Sequence, residues 1–316
     1  MDSTVIAPLH QFAAAVTLLA VVGCEPSAKP ISDSPPIAAS SAAAVAPRPT
    51  ATPAPIVSIT GATTPNQAAS LDELLLFFPS KYPDGVWKPD RLKYEDVSFR
   101  AADGTELHGW YCPCADARAV VLFCHGNGGN SAARLERLEA LQLDQRVAVF
   151  IFDYRGYGKS GGAPSVAGIL QDARAARTAA AARAGVAASQ LVLFGESLGG
   201  AVAVDLAAEF GARGLILENT FASLAEVASV HYPKLAWLVP PGKLDSQRSI
   251  AKYRGPLLQS HGQDDETIPF AQGEKLFAAA HEPKEFVRVA GGKHNDPPTV
   301  DYLNRLERFL ERLPKP

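Results

Sequence analysis

The sequence predicts an α/β domain: a mostly parallel, doubly wound sheet with helices on both faces and an antiparallel hairpin at its N-terminal edge. Three observations predict it. Short, mostly apolar runs recur at 119–124, 147–152, 191–194, 214–218, 256–260 and 285–289, as expected of parallel strands covered on both faces. Helical patterns at 131–141, 165–184, 198–210, 269–280 and 299–313 alternate with them, and such alternation builds a parallel sheet with crossover helices. The chain has 316 residues, 47% hydrophobic and 20% charged, enough for one domain of about 250 residues.

The first 23 residues read as a targeting segment. An apolar stretch from Phe12 to Val22 ends in Gly23-Cys24 and is short for a bilayer span. "VVGC" is similar to the lipobox of bacterial lipoproteins, which implies cleavage before Cys24, lipidation of Cys24 and a domain anchored in the cell envelope outside the inner membrane. Met1 to Gln11 carries no Lys or Arg, a departure from export signals that keeps a cytoplasmic location as the alternative. Residues 24–67 are rich in Pro, Ala and Ser, too poor in large side chains to offset the entropy of ordering, and read as a tether.

The folded domain is expected over 68–316. "SLDELLLFFPSKYP" suggests a short helix capped by Ser70 with Leu71, Leu74, Leu75 and Phe78 on its apolar face. "YEDVSFRAADGTELHGWYCP" alternates polar and apolar residues about Asp103-Gly104, the signal of a hairpin. The Ala-rich run before Gly185 has high helix propensity, and Gly185 suits its C-terminal cap. An insertion at 219–249 is about thirty residues long, too brief for a large lid.

Charge excludes one class of function. With 30 basic and 33 acidic residues and a formal charge of -3, the chain lacks the footprint of a nucleic-acid binder. The four cysteines, Cys24, Cys112, Cys114 and Cys124, make neither a disulfide framework nor a zinc set. No metal or organic cofactor is expected.

The chemistry centres on Gly195-Glu196-Ser197-Leu198-Gly199, which follows one apolar strand and opens a helix. G-x-S-x-G at such a junction is a tight turn that raises a serine hydroxyl above the sheet, and its glycines admit close backbone approach. A serine needs a base, and the base needs a carboxylate. Two later strands end in "HGQDDETIP" and "AGGKHNDP", which supply these types in the order Ser, Asp, His.

These motifs resemble the α/β-hydrolase superfamily over roughly Tyr94 to Leu313, and more closely its Bem46-like branch of lipase-like, lysophospholipase-like and protein-depalmitoylating enzymes. "FCHGNGGN" (123–130) is similar to the oxyanion loop, "DYRGYGKSGG" (153–162) to the loop after the next strand, "GESLGG" (195–200) to the nucleophile elbow, and 232–258 to the segment before the acidic motif. The resemblance implies Ser197 as nucleophile, Asp265 as acid and His294 as base. Asp264 is the competing acid; its other reading is a turn cap bonding backbone amides. His125 and His261 are expected to be structural. The backbone N–H groups of Asn127 and Leu198 are expected to form the oxyanion hole, in a loop shaped by Gly126, Gly128 and Gly129.

The expected activity is a serine esterase that cleaves carboxylic esters or thioesters of small to medium acyl groups through an acyl-enzyme. The partner is a small ester or lipid-like molecule. Tyr232, Leu235, Trp237, Leu238 and Val239 are candidates for an acyl-chain site or for a helix packing face. The alternatives are an S33-like serine peptidase, or a weakly active hydrolase-shaped lipoprotein that acts as a binding module.

Overall fold

The structure, a computed structural model, describes residues 76–315. The expected leader, Cys24, the tether and all but the end of the helix begun at Ser70 lie outside the described residues. The strands are β1 (Glu95–Arg100), β2 (Glu106–Cys112), β3 (Val120–Cys124), β4 (Ala148–Asp153), β5 (Leu191–Glu196), β6 (Gly214–Glu218), β7 (Leu257–Gly262) and β8 (Lys284–Val289). They form one eight-stranded sheet in the order β8-β7-β6-β5-β3-β4-β2-β1. Strands β3 to β8 pair in parallel, while β2 pairs antiparallel with both β1 and β4.

Alternation along fully buried strands explains the two-sided core. In β4, Phe150 and Phe152 join the cluster on one face, while Val149 and Ile151 join the cluster on the other. The first face is covered by the helices Val166–Ala184 and Leu198–Phe210, and the second by Leu135–Glu139 and Val300–Arg312. Successive side chains of a strand point to opposite faces, so a strand covered on both sides must be apolar throughout.

Local chemistry sets the helix ends. Ser165 Oγ accepts the Gly168 N–H, and Gly185 takes the left-handed conformation (φ 68°) that closes the long helix. The helix expected over 131–141 is instead a 3₁₀ turn (Ser131–Arg134), a short α segment and a widened turn (Ala140–Asp144). That last turn is held by Gln145 N–H to Ala140 O at 3.0 Å, and the Gln142 amide donates to the carbonyls of Lys93 and Pro113. The chain therefore drops directly into β4.

Phe78 also departs from expectation. It belongs to a two-residue strand, Phe78–Pro79, parallel to Gly128–Gly129, not to a helix face. Pro79 explains this, because a proline disfavours the helical region at the residue before it. The insertion holds two short helices, Leu224–His231 and Ser246–Ile250, and a 3₁₀ turn at Ala236–Leu238. Among the described residues no helix is long and apolar enough to cross a membrane.

Register aligns the strand ends that matter. Cys124 pairs with Gly195, Glu196 with Glu218, and Glu218 with Ser260. The loops after β3, β5, β6 and β7 therefore leave the sheet along one edge, at the carboxyl ends where α/β sheets bind ligands.

Candidate active site

Ser197 sits between β5 and the helix Leu198–Phe210 with φ 51° and ψ -120°, a region that a side-chain-bearing residue occupies only under constraint. The constraint is visible in the glycines around it. A Cβ on Gly195 would stand 2.3 Å from the Gly199 carbonyl oxygen, and one on Gly199 would stand 2.0 Å from that of Cys124. On Gly200 it would lie 2.4 Å from the Thr220 side chain. The turn is further held by Ser197 N–H to Glu218 O (2.9 Å) and by Thr220 Oγ1–H to Ser197 O (2.7 Å).

Three loops bring Ser197, His294 and Asp265 together. His294 Nε2 is 3.1 Å from Ser197 Oγ, and its Nδ1 is 2.7 Å from Asp265 Oδ2. The other oxygen of Asp265, Oδ1, accepts the N–H groups of Thr267 (2.9 Å) and Ile268 (2.7 Å). Turn capping thus falls to Asp265 itself, and Asp264, one residue before, is exposed. Burial alone would raise the Asp265 carboxyl, but hydrogen bonds from His261 and His294 and the Ile268 amide hold it well below the usual carboxylate range.

His125 and His261 are both fully buried. Burial, reinforced by the nearby Arg134, pulls the His125 imidazole down to about 4, so it is neutral near pH 7, and its Nδ1 lies 2.7 Å from the Gly126 carbonyl oxygen. His261 Nε2 lies 2.9 Å from the Ile268 carbonyl oxygen and 3.4 Å from Asp265 Oδ2. It braces the acid loop.

Opposite the serine, the loop after β3 is pinned by Asn127. Its Nδ2 donates to the Leu76 carbonyl, and its Oδ1 accepts the Tyr157 hydroxyl at 2.9 Å and the Phe78 N–H at 3.4 Å. The Leu198 amide opens its helix, where backbone N–H groups have no intrahelical acceptor and the dipole favours negative charge. Gly126 is hemmed by Arg134, Glu196 and Ser197, and its N–H donates to Glu196 Oε1 at 3.0 Å. Gly128 differs from the role expected of it. A side chain there would meet nothing within 4 Å, whereas its neighbour Gly129 has φ 83°. The left-handed turn requires the second glycine of the pair, not the first.

The sequence pattern singled out neither Asn219 nor two half-buried ion pairs. Asn219 has φ 45°; its Nδ2 donates to the His294 carbonyl at 2.8 Å, and its Oδ1 accepts the Gly262 N–H at 3.0 Å. It ties the base loop to the end of β7. Glu196 pairs with Arg134, and Glu218 with Arg137 at 2.6 Å. Burial drives both carboxyls upward; for Glu196, Arg134 and the Gly126 amide reverse the shift, while Glu218 remains raised. A positive φ at an asparagine immediately after a strand was the available signal for Asn219, but φ is not written in a single sequence.

Comparison with known proteins gives matches of three kinds. A family model described as "Serine aminopeptidase, S33" matches residues 115–243. The chain is 40% identical over 246 residues to the uncharacterized protein Rv2307c of Mycobacterium tuberculosis, covering 75% of this chain and 86% of that protein. It is 36% identical over 231 residues to the alpha/beta hydrolase domain-containing protein WAV2 of Arabidopsis thaliana, covering 66% of this chain and 75% of WAV2. Among solved structures, the esterase Pf2001 of Pyrococcus furiosus superposes with TM-score 0.62 at 19% identity, over 75% of this chain and 99% of the esterase. That last likeness is one of fold.

Proposed function

The chain belongs to the α/β-hydrolase superfamily, and on that premise we propose that it is a serine hydrolase that forms an acyl-enzyme at Ser197 and acts on esters or thioesters of small to medium acyl groups. The observation that carries the reading is the hydrogen-bonded series Ser197–His294–Asp265, with spacings of 3.1 and 2.7 Å. His294 Nε2 takes the Ser197 proton as Oγ attacks the carbonyl carbon, and the carbonyl π electrons move onto oxygen. That oxygen meets the Asn127 and Leu198 amides. His294 then gives its proton to the departing alcohol or thiol, and a water deprotonated by the same ring releases the acid. Asp265, ionised and turned by its own backbone bonds, holds Nδ1–H toward itself throughout.

The match to an S33 serine aminopeptidase family model favours a second reading, cleavage of a peptide bond beside a free amine. Such a site must hold an ammonium group. Three carboxylates close to Ser197, Asp265, Glu196 and Glu218, are already partnered by His294, Arg134 and Arg137 respectively. None of these three is left over for an ammonium, so the peptidase reading needs another carboxylate; Asp296, exposed and two residues after His294, is the candidate. The finer placement in the Bem46-like branch rests on the loops at 123–130 and 153–162 together with the elbow. An ester series of increasing acyl length, run beside aminoacyl amides, tests the choice. A rise in kcat/KM up to a length limit, about 0.8 kcal/mol per added methylene where the groove is apolar, supports the esterase. Cleavage of the amides with a flat ester response reverses the order of the two readings.

The leader supports a further reading, export with lipid on Cys24. Mass spectrometry of the mature N-terminus tests it: an acylated chain starting at Cys24 is expected, and an unmodified chain starting at Met1 overturns it.

A further inference from the structure

We propose that the segment Val230–Pro241, which begins in the last residues of the helix Leu224–His231, is a docking surface for an anionic lipid bilayer. Its centre is Trp237, which is 78% exposed, and Val230 nearby is 57% exposed. An indole has a large apolar ring and one polar edge, the combination enriched at membrane–water interfaces. This one is also oriented: its Nε1–H donates to the Lys234 carbonyl at 3.1 Å, so a polar edge faces the backbone of an exposed lysine while the ring remains open to solvent.

Charge selects the partner. Residues 230–241 contain no Asp or Glu, and their one lysine, Lys234, is exposed beside Trp237. Tryptophan with adjacent lysine suits the headgroup level of a membrane, where the ring sits at the apolar boundary and the ammonium stays among lipid phosphates. A second copy of the chain fits less well. One exposed indole and one valine offer on the order of 250 Å², against roughly 800 Å² per partner in a stable protein interface.

The surface is joined to the site. His231 Nε2 lies 2.7 Å from the Thr267 carbonyl oxygen, and the Thr267 N–H donates to Asp265. The helix end that leads into the Trp237 segment is thereby tied to the loop that carries Asp265. This inference does not rest on the ester reading, and its test reads binding alone.

The test uses the full chain carrying Cys24→Ala, so that lipidation contributes nothing, with phosphatidylcholine vesicles prepared with and without phosphatidylserine. The other two tryptophans, Trp87 and Trp110, are 9% and 0% exposed, so a change in fluorescence on exposure to lipid reports Trp237. Phosphatidylserine vesicles should shift the emission to the blue, brominated lipid should quench it, and Trp237→Phe should abolish both responses. Trp237→Ala should release the protein from these vesicles, and Lys234→Glu should weaken binding by at least about fivefold at low salt. Sedimentation with vesicles while Trp237 emission stays unchanged would assign binding to the leader and overturn the proposal. So would emission already shifted and shielded from acrylamide before vesicles are added, because another part of the chain or a second copy would then cover the ring.

Discussion

Asn219 and His294 are joined side chain to backbone: the Asn219 amide donates to the His294 carbonyl at 2.8 Å while its oxygen accepts the Gly262 N–H at 3.0 Å. One residue after β6 thereby fixes a loop that belongs, in sequence, beyond β8. Asn219→Ala should lower kcat by about 10- to 100-fold with KM changed by less than about threefold, since orientation of the base acts on the transition state. Asn219→Asp retains the acceptor toward Gly262 but sets a carboxylate against the His294 carbonyl, and should be no better. Steady-state kinetics on a p-nitrophenyl ester decides it; a rise in KM with kcat intact would place Asn219 in substrate binding.

Asp265→Asn should reduce kcat by on the order of 10³ to 10⁴, because an amide beside Nδ1 allows the wrong tautomer of His294. Asp264→Asn should cost less than about tenfold, since that side chain is exposed. Reversal of the two losses would transfer the acid role to Asp264.

The glycines divide into two groups that kinetics and thermal melting can separate. Gly199→Ala places a methyl 2.0 Å from the Cys124 carbonyl oxygen, so the elbow must open, and stability and activity should both collapse. Gly128→Ala meets nothing within 4 Å and should keep the melting temperature and kcat near those of the parent. A severe defect in Gly128→Ala would mean that the loop takes another shape when substrate binds.

The sign of the Asp265 shift sets a pH dependence of stability. Its folded-state carboxyl is depressed, against the effect of burial, by His261, His294 and the Ile268 amide. Its contribution is therefore fully present above the unfolded value near 3.9 and is lost as pH falls toward the folded one. In denaturant melts, the stability advantage of the parent over Asp265→Asn should shrink between about pH 5 and about pH 2. An advantage that grows on acidification would contradict the depressed carboxyl.

The fold was legible because buried parallel strands announce themselves as short apolar runs; β6 and the helix Leu198–Phe210 fall at the expected residues. Ser197 was equally visible, since the glycines that flank it are forced by contacts below 3 Å. Other features were hidden for physical reasons. Phe78 reads as one face of a helix until Pro79 extends it. The short helices of the insertion are held by tertiary contacts, such as the Gln272 amide to Glu226 at 2.7 Å, rather than by periodicity. Asn219, Arg134 and Arg137 act through partners 43 to 81 residues away, and polar pairing over such separations leaves no local pattern.

Labelling with a fluorophosphonate, followed by peptide mass spectrometry, reads the reactivity of Ser197 itself. The probe carries its own electrophilic phosphorus and fluoride leaving group, so it reports an activated serine without any assumption about substrate. One adduct is expected, on Ser197, absent in Ser197→Ala and strongly slowed in His294→Ala, while both variants remain folded by circular dichroism. No adduct on folded protein, under conditions that label a control hydrolase, or an adduct at another residue that persists in Ser197→Ala, would contradict it.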